Sequence, residues 1–186
     1  MKKFELTTET TTNVAGKKLF RIKALIDFGD VKAGELGGYV EKEGNVSQEG
    51  NAWVCGDAEV YGNARISGNA RIYGDAMIYG NAEVSDNARI SGYAWVSGDA
   101  RISGNAEVSG DADYALVQGF GTKFRCTTFY RGKNKKIMVN CGCFHGDLEG
   151  FRKQVKETRL GKTAKEYLMI ADLMEYHFAS GDSSNE

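Results

Sequence analysis

The chain has 186 residues, 41% of them hydrophobic, no proline and a formal net charge of -1. This composition fits one compact soluble protein, and no apolar run is long enough to span a membrane. The opening residues MKKFELTTET lack the hydrophobic stretch of a secretory leader and only four Cys occur, so a disulfide-stapled secreted scaffold is excluded and a reducing, cytoplasmic location is expected.

Residues 1–37 read as an N-terminal β cap, with strands at Phe4-Glu5-Leu6 and from Leu19 to Ile26 around a turn near Ala15-Gly16. From Gly38 to Ala115 the unit Gly-(Asn/Asp)-Ala-x-(Val/Ile)-x recurs every six residues. Ala holds every sixth position from Ala52 to Ala112, and Val or Ile follows two residues behind from Val54 to Val108. The first two units are looser, with Lys42 and Gln48 standing where the branched aliphatic belongs. A fixed short period of this kind predicts a solenoid. Within each unit Ala and Val/Ile are two apart and point to one side of a short strand, while the residue after each points outward. Gly-Asn and Gly-Asp turn the corners, where a positive φ is expected; Asp86 replaces Gly at one corner because Asp tolerates that conformation.

Residues 116–178 read as a C-terminal α+β domain of ββαα order. Strands are expected over Lys123 to Arg131 and Lys136 to Cys141, joined by Gly132-Lys133-Asn134-Lys135. A helix from Asp147 buries Leu148, Phe151 and Val155. A second starts at Thr163, where Thr163 and Glu166 match a capping box, and its apolar stripe is Tyr167, Ala171, Met174 and Phe178. Residues 179–186 read as a disordered tail. The two main segments differ in charge: 38–115 carries 5 Lys or Arg against 12 Asp or Glu, whereas 116–178 carries 12 against 6. Both ends are expected to cap the solenoid, because terminal coils otherwise expose apolar core and unpaired backbone.

The Gly-(Asn/Asp)-Ala-x-(Val/Ile)-x spacing, with an aliphatic residue followed four positions later by a small one as in Val54 to Ala58, resembles the hexapeptide-repeat left-handed β-helix superfamily. The resemblance implies three units, or 18 residues, per triangular coil, and it alone implies the left hand. The words TTFYRGKNKKIMVNCGCFHGDLEGF, AKEYLMIADLMEYHF and DFGDVKAGELGGYVEKEGNVSQEGNAWV are similar to prophage-borne hexapeptide proteins of unknown function. That similarity implies a phage accessory protein but no reaction.

Many hexapeptide proteins transfer acyl groups from coenzyme A thioesters, which calls for a general base near the acceptor. Both His here, His145 and His177, lie in the C-terminal segment and none lies in the repeats, so an acyltransferase ranks behind a non-enzymatic binder. The same absence removes the zinc triad of a hexapeptide carbonic anhydrase. No cofactor is expected, with one exception to weigh. Cys141, Cys143 and His145 alternate along one expected strand, and a hairpin symmetric about Lys133-Asn134 sets Cys126 opposite Cys141. Three thiols and an imidazole would then suit a structural zinc, although buried free thiols explain the same residues.

Residues 18 apart stack on one face of the solenoid. One column holds Arg65, Glu83 and Arg101; a second holds Trp53, Arg71, Arg89 and Glu107. The third face carries Glu59, Met77, Trp95 and Asp113 beside Tyr61, Tyr79 and Ser97, with Tyr93 at the adjoining corner. Met, Trp and Tyr are enriched at interface cores, so Tyr61, Met77, Tyr79, Tyr93 and Trp95 are the candidate partner-binding residues; cross-coil stacking alone explains them otherwise. Asn51, Asn69, Asn87 and Asn105 form one corner ladder, and Asp57, Asp75 and Asp111 another. Arg131, Lys133, Lys135 and Lys136 cluster at the expected hairpin tip as candidate phosphate contacts. The reading is a protein-binding module, phage-encoded, that occupies a host protein such as a CRISPR nuclease of a bacterial defence system. A homo-oligomer contact, an acyltransferase and local nucleic-acid binding are the alternatives.

Overall fold

The computed structural model describes residues 1–179, so the tail expected at 179–186 lies, apart from Ala179, outside the described residues. Contacts divide the chain into two compact units, Met1–Asp111 and a second beginning at Ala112.

The first unit opens with an antiparallel hairpin of β1 (Phe4–Thr12) and β2 (Lys18–Ala24). β1 extends well past the three residues expected, because the run from Thr7 to Thr12 is rich in β-branched Thr, which suits an extended backbone. β3 (Leu36–Val40) pairs with β2 antiparallel. Two-residue strands then follow at each repeat: β4 (Trp53–Val54), β5 (Glu59–Val60), β6 (Arg65–Ile66), β7 (Arg71–Ile72), β8 (Met77–Ile78), β9 (Glu83–Val84), β10 (Arg89–Ile90), β11 (Trp95–Val96), β12 (Arg101–Ile102) and β13 (Glu107–Val108).

They stack in parallel into three sheets, β3-β5-β8-β11, β4-β7-β10-β13 and β6-β9-β12, in a solenoid of about four turns. The first sheet continues through β2 to β1, so the hairpin covers the solenoid's opening edge as a cap should. Backbone bonds climb from coil to coil, for example Met77 N to Ala94 O at 3.0 Å and Arg89 N to Ala106 O at 2.9 Å. The repeat's Ala positions from Ala52 to Ala106 are fully buried, and the Val and Ile positions are at most 1% exposed. Each such aliphatic side chain contributes about 1.5–3 kcal/mol by leaving water.

The first coil departs from the 18-residue register. Val40 pairs with Val60 and Val46 bridges Ile66, whereas Trp53 pairs with Arg71. Two additional residues therefore sit in the corner between Val46 and Trp53. This removes the conflict posed by Lys42 and Gln48, which are not core positions. Gln48 instead ties that corner to the cap: its Oε1 accepts from Lys3 N at 2.8 Å and Phe4 N at 3.2 Å, and its Nε2 donates to Phe4 O at 3.1 Å. Asn45, fully buried, donates to Gly62 O at 3.2 Å and Ala64 O at 2.9 Å.

The second face also differs from expectation at one end. Trp53, which the repeat points outward, is fully buried beneath Phe4 and Phe28, whose rings meet it edge-on at 6.1 and 5.3 Å. Arg71 above it is buried as well and pairs with Asp30. The N-terminal 30 residues thus close over this face, which a repeat pattern cannot reveal.

In the second unit β14 (Tyr114–Val117), β15 (Thr127–Arg131), β16 (Ile137–Cys141) and β17 (Phe144–Asp147) form an antiparallel meander, followed by α1 (Leu148–Thr158) and α2 (Gly161–Ala179). The core joins Phe129 and Val139 of the sheet to Leu148, Phe151 and Val155 of α1 and to Tyr167, Ala171, Met174 and Phe178 of α2, the stripes read from helical spacing. Asp147 caps α1 by accepting from Gly150 N at 2.9 Å. α2 begins before Thr163, and Glu166 accepts from Gly121 N at 3.3 Å, so the expected capping box gives way to a tertiary bond. Arg152 links the helices, donating to Glu149 on α1 and to Asp172 and Glu175 on α2 at 2.7–2.8 Å.

Candidate functional site

The column expected on the third face exists: Tyr39 pairs with Glu59, Glu59 with Met77 and Met77 with Trp95. It ends there. Asp113 lies in the second unit, in a short turn before β14, and accepts from Arg131 Nε at 2.9 Å. Where a further coil would continue the ladder, Asp111 accepts from the backbone N–H of Trp95 at 2.8 Å, which satisfies a donor at the outer edge of β11.

The five candidate residues are not equally presented. Tyr61 is buried and lies flat against Tyr79, with ring centroids 5.1 Å apart and planes 3° from parallel. Burial, then Tyr79 and Glu59, push the Tyr61 phenol up, as expected for a ring that has left water. Met77 and Tyr79 are half-buried. Tyr93 and Trp95 are the exposed pair, at 74% and 46%. The stacking and the binding readings therefore divide: Tyr61 stacks on Tyr79 within the fold, Trp95 pairs beside the half-buried Met77, and Tyr93 is exposed at the adjoining corner. Trp95 is held by the pairing of β11 with β8, and Tyr93 stands in the corner turn that precedes it.

The basic hairpin tip loses one member. Arg131 is half-buried; besides Asp113 it donates to Phe178 O at 2.7 Å, and its guanidinium lies 5.4 Å from the Phe178 ring centroid. It is a structural residue of the second unit, because a guanidinium so engaged cannot reach a phosphate. Lys133, Lys135 and Lys136 remain exposed at the turn, where Asn134 and Lys135 take positive φ of 62° and 60°.

The Cys and His set is not brought together. Thr127, not Cys126, faces Cys141, and its hydroxyl lies 3.1 Å from the Cys141 thiol. The hairpin register is one residue from the symmetric one, which turns Cys126 to the other face. Cys143 falls in the turn between β16 and β17, where Gly142 has φ 63°, and His145 stands opposite Asn140 on β17. Among the described residues no group of three or more His, Cys, Asp or Glu is placed to hold a metal. His145 and His177 are both exposed, on β17 and α2.

The Asn corner forms as expected, with Asn51, Asn69 and Asn87 each donating to the next amide at 2.9, 3.0 and 3.3 Å. A second ladder follows the same 18-residue spacing, Asn63 to Asn81 at 3.2 Å and Asn81 to Asp99 at 2.9 Å. No helix among the described residues is long and apolar enough to cross a membrane.

None of the curated proteins matches the chain. Residues 70–84 and 82–98 match the family model described as the YdcK beta solenoid repeat. These segments span β7 to β11, and with the parallel stacking of the coils they identify the chain as carrying a β-solenoid of hexapeptide-like repeats.

Proposed function

We propose that the protein is a non-enzymatic binding module whose solenoid presents Tyr93 and Trp95, with the half-buried Met77 and Tyr79 of the same face, to another protein. The observation that supports this most is the exposure of two large aromatic rings, Tyr93 at 74% and Trp95 at 46%, two residues apart in the solenoid coils. The similarity of the flanking segments to prophage-borne hexapeptide proteins supports a phage accessory role, acting in the host cytoplasm by occupying a host protein, of which a defence nuclease such as a CRISPR effector is the example. Acyl transfer has less support, because the coils carry no His.

The test is affinity enrichment from bacterial lysate with wild type and Trp95→Ser as paired baits, alongside sedimentation of both. A partner retained by wild type and lost by Trp95→Ser, at unchanged mass, supports the proposal. A smaller species for Trp95→Ser assigns the face to self-association, and identical enrichment with identical mass reduces the cluster to coil stacking.

A further inference from the structure

A small cavity of about 50 Å³ opens within the second unit. It lies between the segment preceding β15, the β16–β17 turn, the last turns of α1 and Tyr167 of α2. Every charged residue lining it is basic: Lys123, Arg125 and Arg159. These three are exposed, and none forms an ion pair among the described residues. The contrast within the unit is informative, since Arg131 is engaged by Asp113 and Arg152 by three carboxylates.

The side chains are placed, not merely nearby in sequence. Arg125 lies across the β16–β17 turn, where a Cβ on Gly142 would come within 2.4 Å of its Nη1, and the φ of +63° at Gly142 favours glycine there. Arg159 caps α1, its Nη1 donating to Thr158 O at 3.3 Å. The wall is aromatic, with Phe144 and Phe151 at 5.6 Å and Phe151 and Tyr167 at 5.9 Å. Burial, then Cys141, pushes the Tyr167 phenol up, while Arg159 and Arg125 oppose that shift. Thr122 and Thr158 add hydroxyl groups at the rim.

Three cations around one hollow repel each other, and no acidic side chain lines it to offset them. A site of this volume holds about three to five waters, since each requires roughly 10–15 Å³ of such space. That is room for one tetrahedral oxyanion and not for a nucleoside.

We propose that this cavity binds a phosphate-type oxyanion, free or as the terminal phosphoryl group of a larger molecule, with Arg125 and Arg159 as the fork-shaped donors and Lys123 at the mouth. The guanidinium forks match tetrahedral oxyanions through paired N–H···O bonds, and Lys123 supplies a point charge.

Calorimetric titration of the full chain with inorganic phosphate, at ionic strength held constant with chloride, tests this. Saturable one-to-one binding is expected, weakened about tenfold or more by Arg125→Gln or Arg159→Gln. Lys123→Gln should weaken it several-fold, and Lys133→Gln at the distant hairpin tip should leave it unchanged. If Arg125→Gln disturbs the turn, as circular dichroism would reveal, the exposed Lys123→Gln and Arg159→Gln decide. Titration with adenosine monophosphate separates the sources: equal affinity indicates the free oxyanion, and tighter binding indicates a phosphoryl group on a larger ligand. Absence of saturable binding above the chloride control overturns the proposal. So does binding that survives Arg125→Gln and Arg159→Gln, or that falls equally in Lys133→Gln.

Discussion

Lys3 is 2% exposed, yet its ammonium donates to Ala52 O at 2.9 Å and lies 4.9 Å from the Phe28 ring centroid, against the Trp53 face of the cap. Burial, reinforced by Arg71, lowers its pKa from 10.5 to about 8. A lysine whose folded pKa is depressed destabilises the native state while protonated, and the penalty is relieved as pH rises from 8 toward 10.5. Thermal unfolding should therefore show wild type gaining on Lys3→Met across that window, and a constant gap between them would contradict this. At the corners, Gly68 has φ 65° and a Cβ there would meet Asp86 N at 2.8 Å, whereas at Gly56, with φ 62°, the nearest atom is Gly74 O at 3.8 Å. Gly68→Ala should cost more than Gly56→Ala, by about 1–3 kcal/mol in denaturant midpoints, because only the first adds a clash to the strain. Positive φ at these corners was readable from Gly and from Asp86, which takes φ 58°. The burial of Trp53 was not, since the period places it outward and only the fold of residues 1–30 brings Phe4 and Phe28 over it. Trp53→Ala should cost about 3–5 kcal/mol, as truncating a large buried ring does; a loss below 1 kcal/mol would mean that the cap does not seal it.

Among the elements, the repeat predicts its own strands well because each two-residue strand is set by one Ala and one Val or Ile, and the pattern is satisfied coil after coil. It fails where the pattern weakens. Lys42 and Gln48 marked a real irregularity, but the sequence offered no way to tell two corner residues too many from two polar residues in the core. The β15–β16 hairpin illustrates a different limit: its strands lie within the expected segments, although β15 begins at Thr127 and not at Lys123, while its register depended on the turn, where Asn134 and Lys135 take positive φ, and is shifted by one residue. That one residue separates a four-ligand cluster from scattered thiols. Native mass spectrometry of protein purified without added metal should give the metal-free mass, and chelator should leave the melting of the second unit unchanged. A stoichiometric zinc would contradict the observed pairing of Thr127 with Cys141.

At the scale of the whole molecule, the solenoid was legible from spacing, and so was the division between an acidic repeat and a basic C-terminal segment. The aromatic face was legible as a column, though the sequence could not grade its members. Tyr61 in its column and Tyr93 at the corner both read as partner-binding candidates, but Tyr61 is 9% exposed and Tyr93 74%, because Tyr61 stacks flat on Tyr79. The basic cavity of the second unit was invisible, since Lys123, Arg125 and Arg159 share no periodicity and converge only through the packing of α1 and α2 on the sheet. Partner affinity, measured for wild type, Trp95→Ser and Arg65→Ser against the protein captured by the wild type, tests the binding face most directly. Trp95→Ser should weaken it by about 2 kcal/mol or more, roughly thirtyfold, while Arg65→Ser on the polar ladder changes it little. Equal affinity for wild type and Trp95→Ser would contradict the assignment of this face as the binding surface.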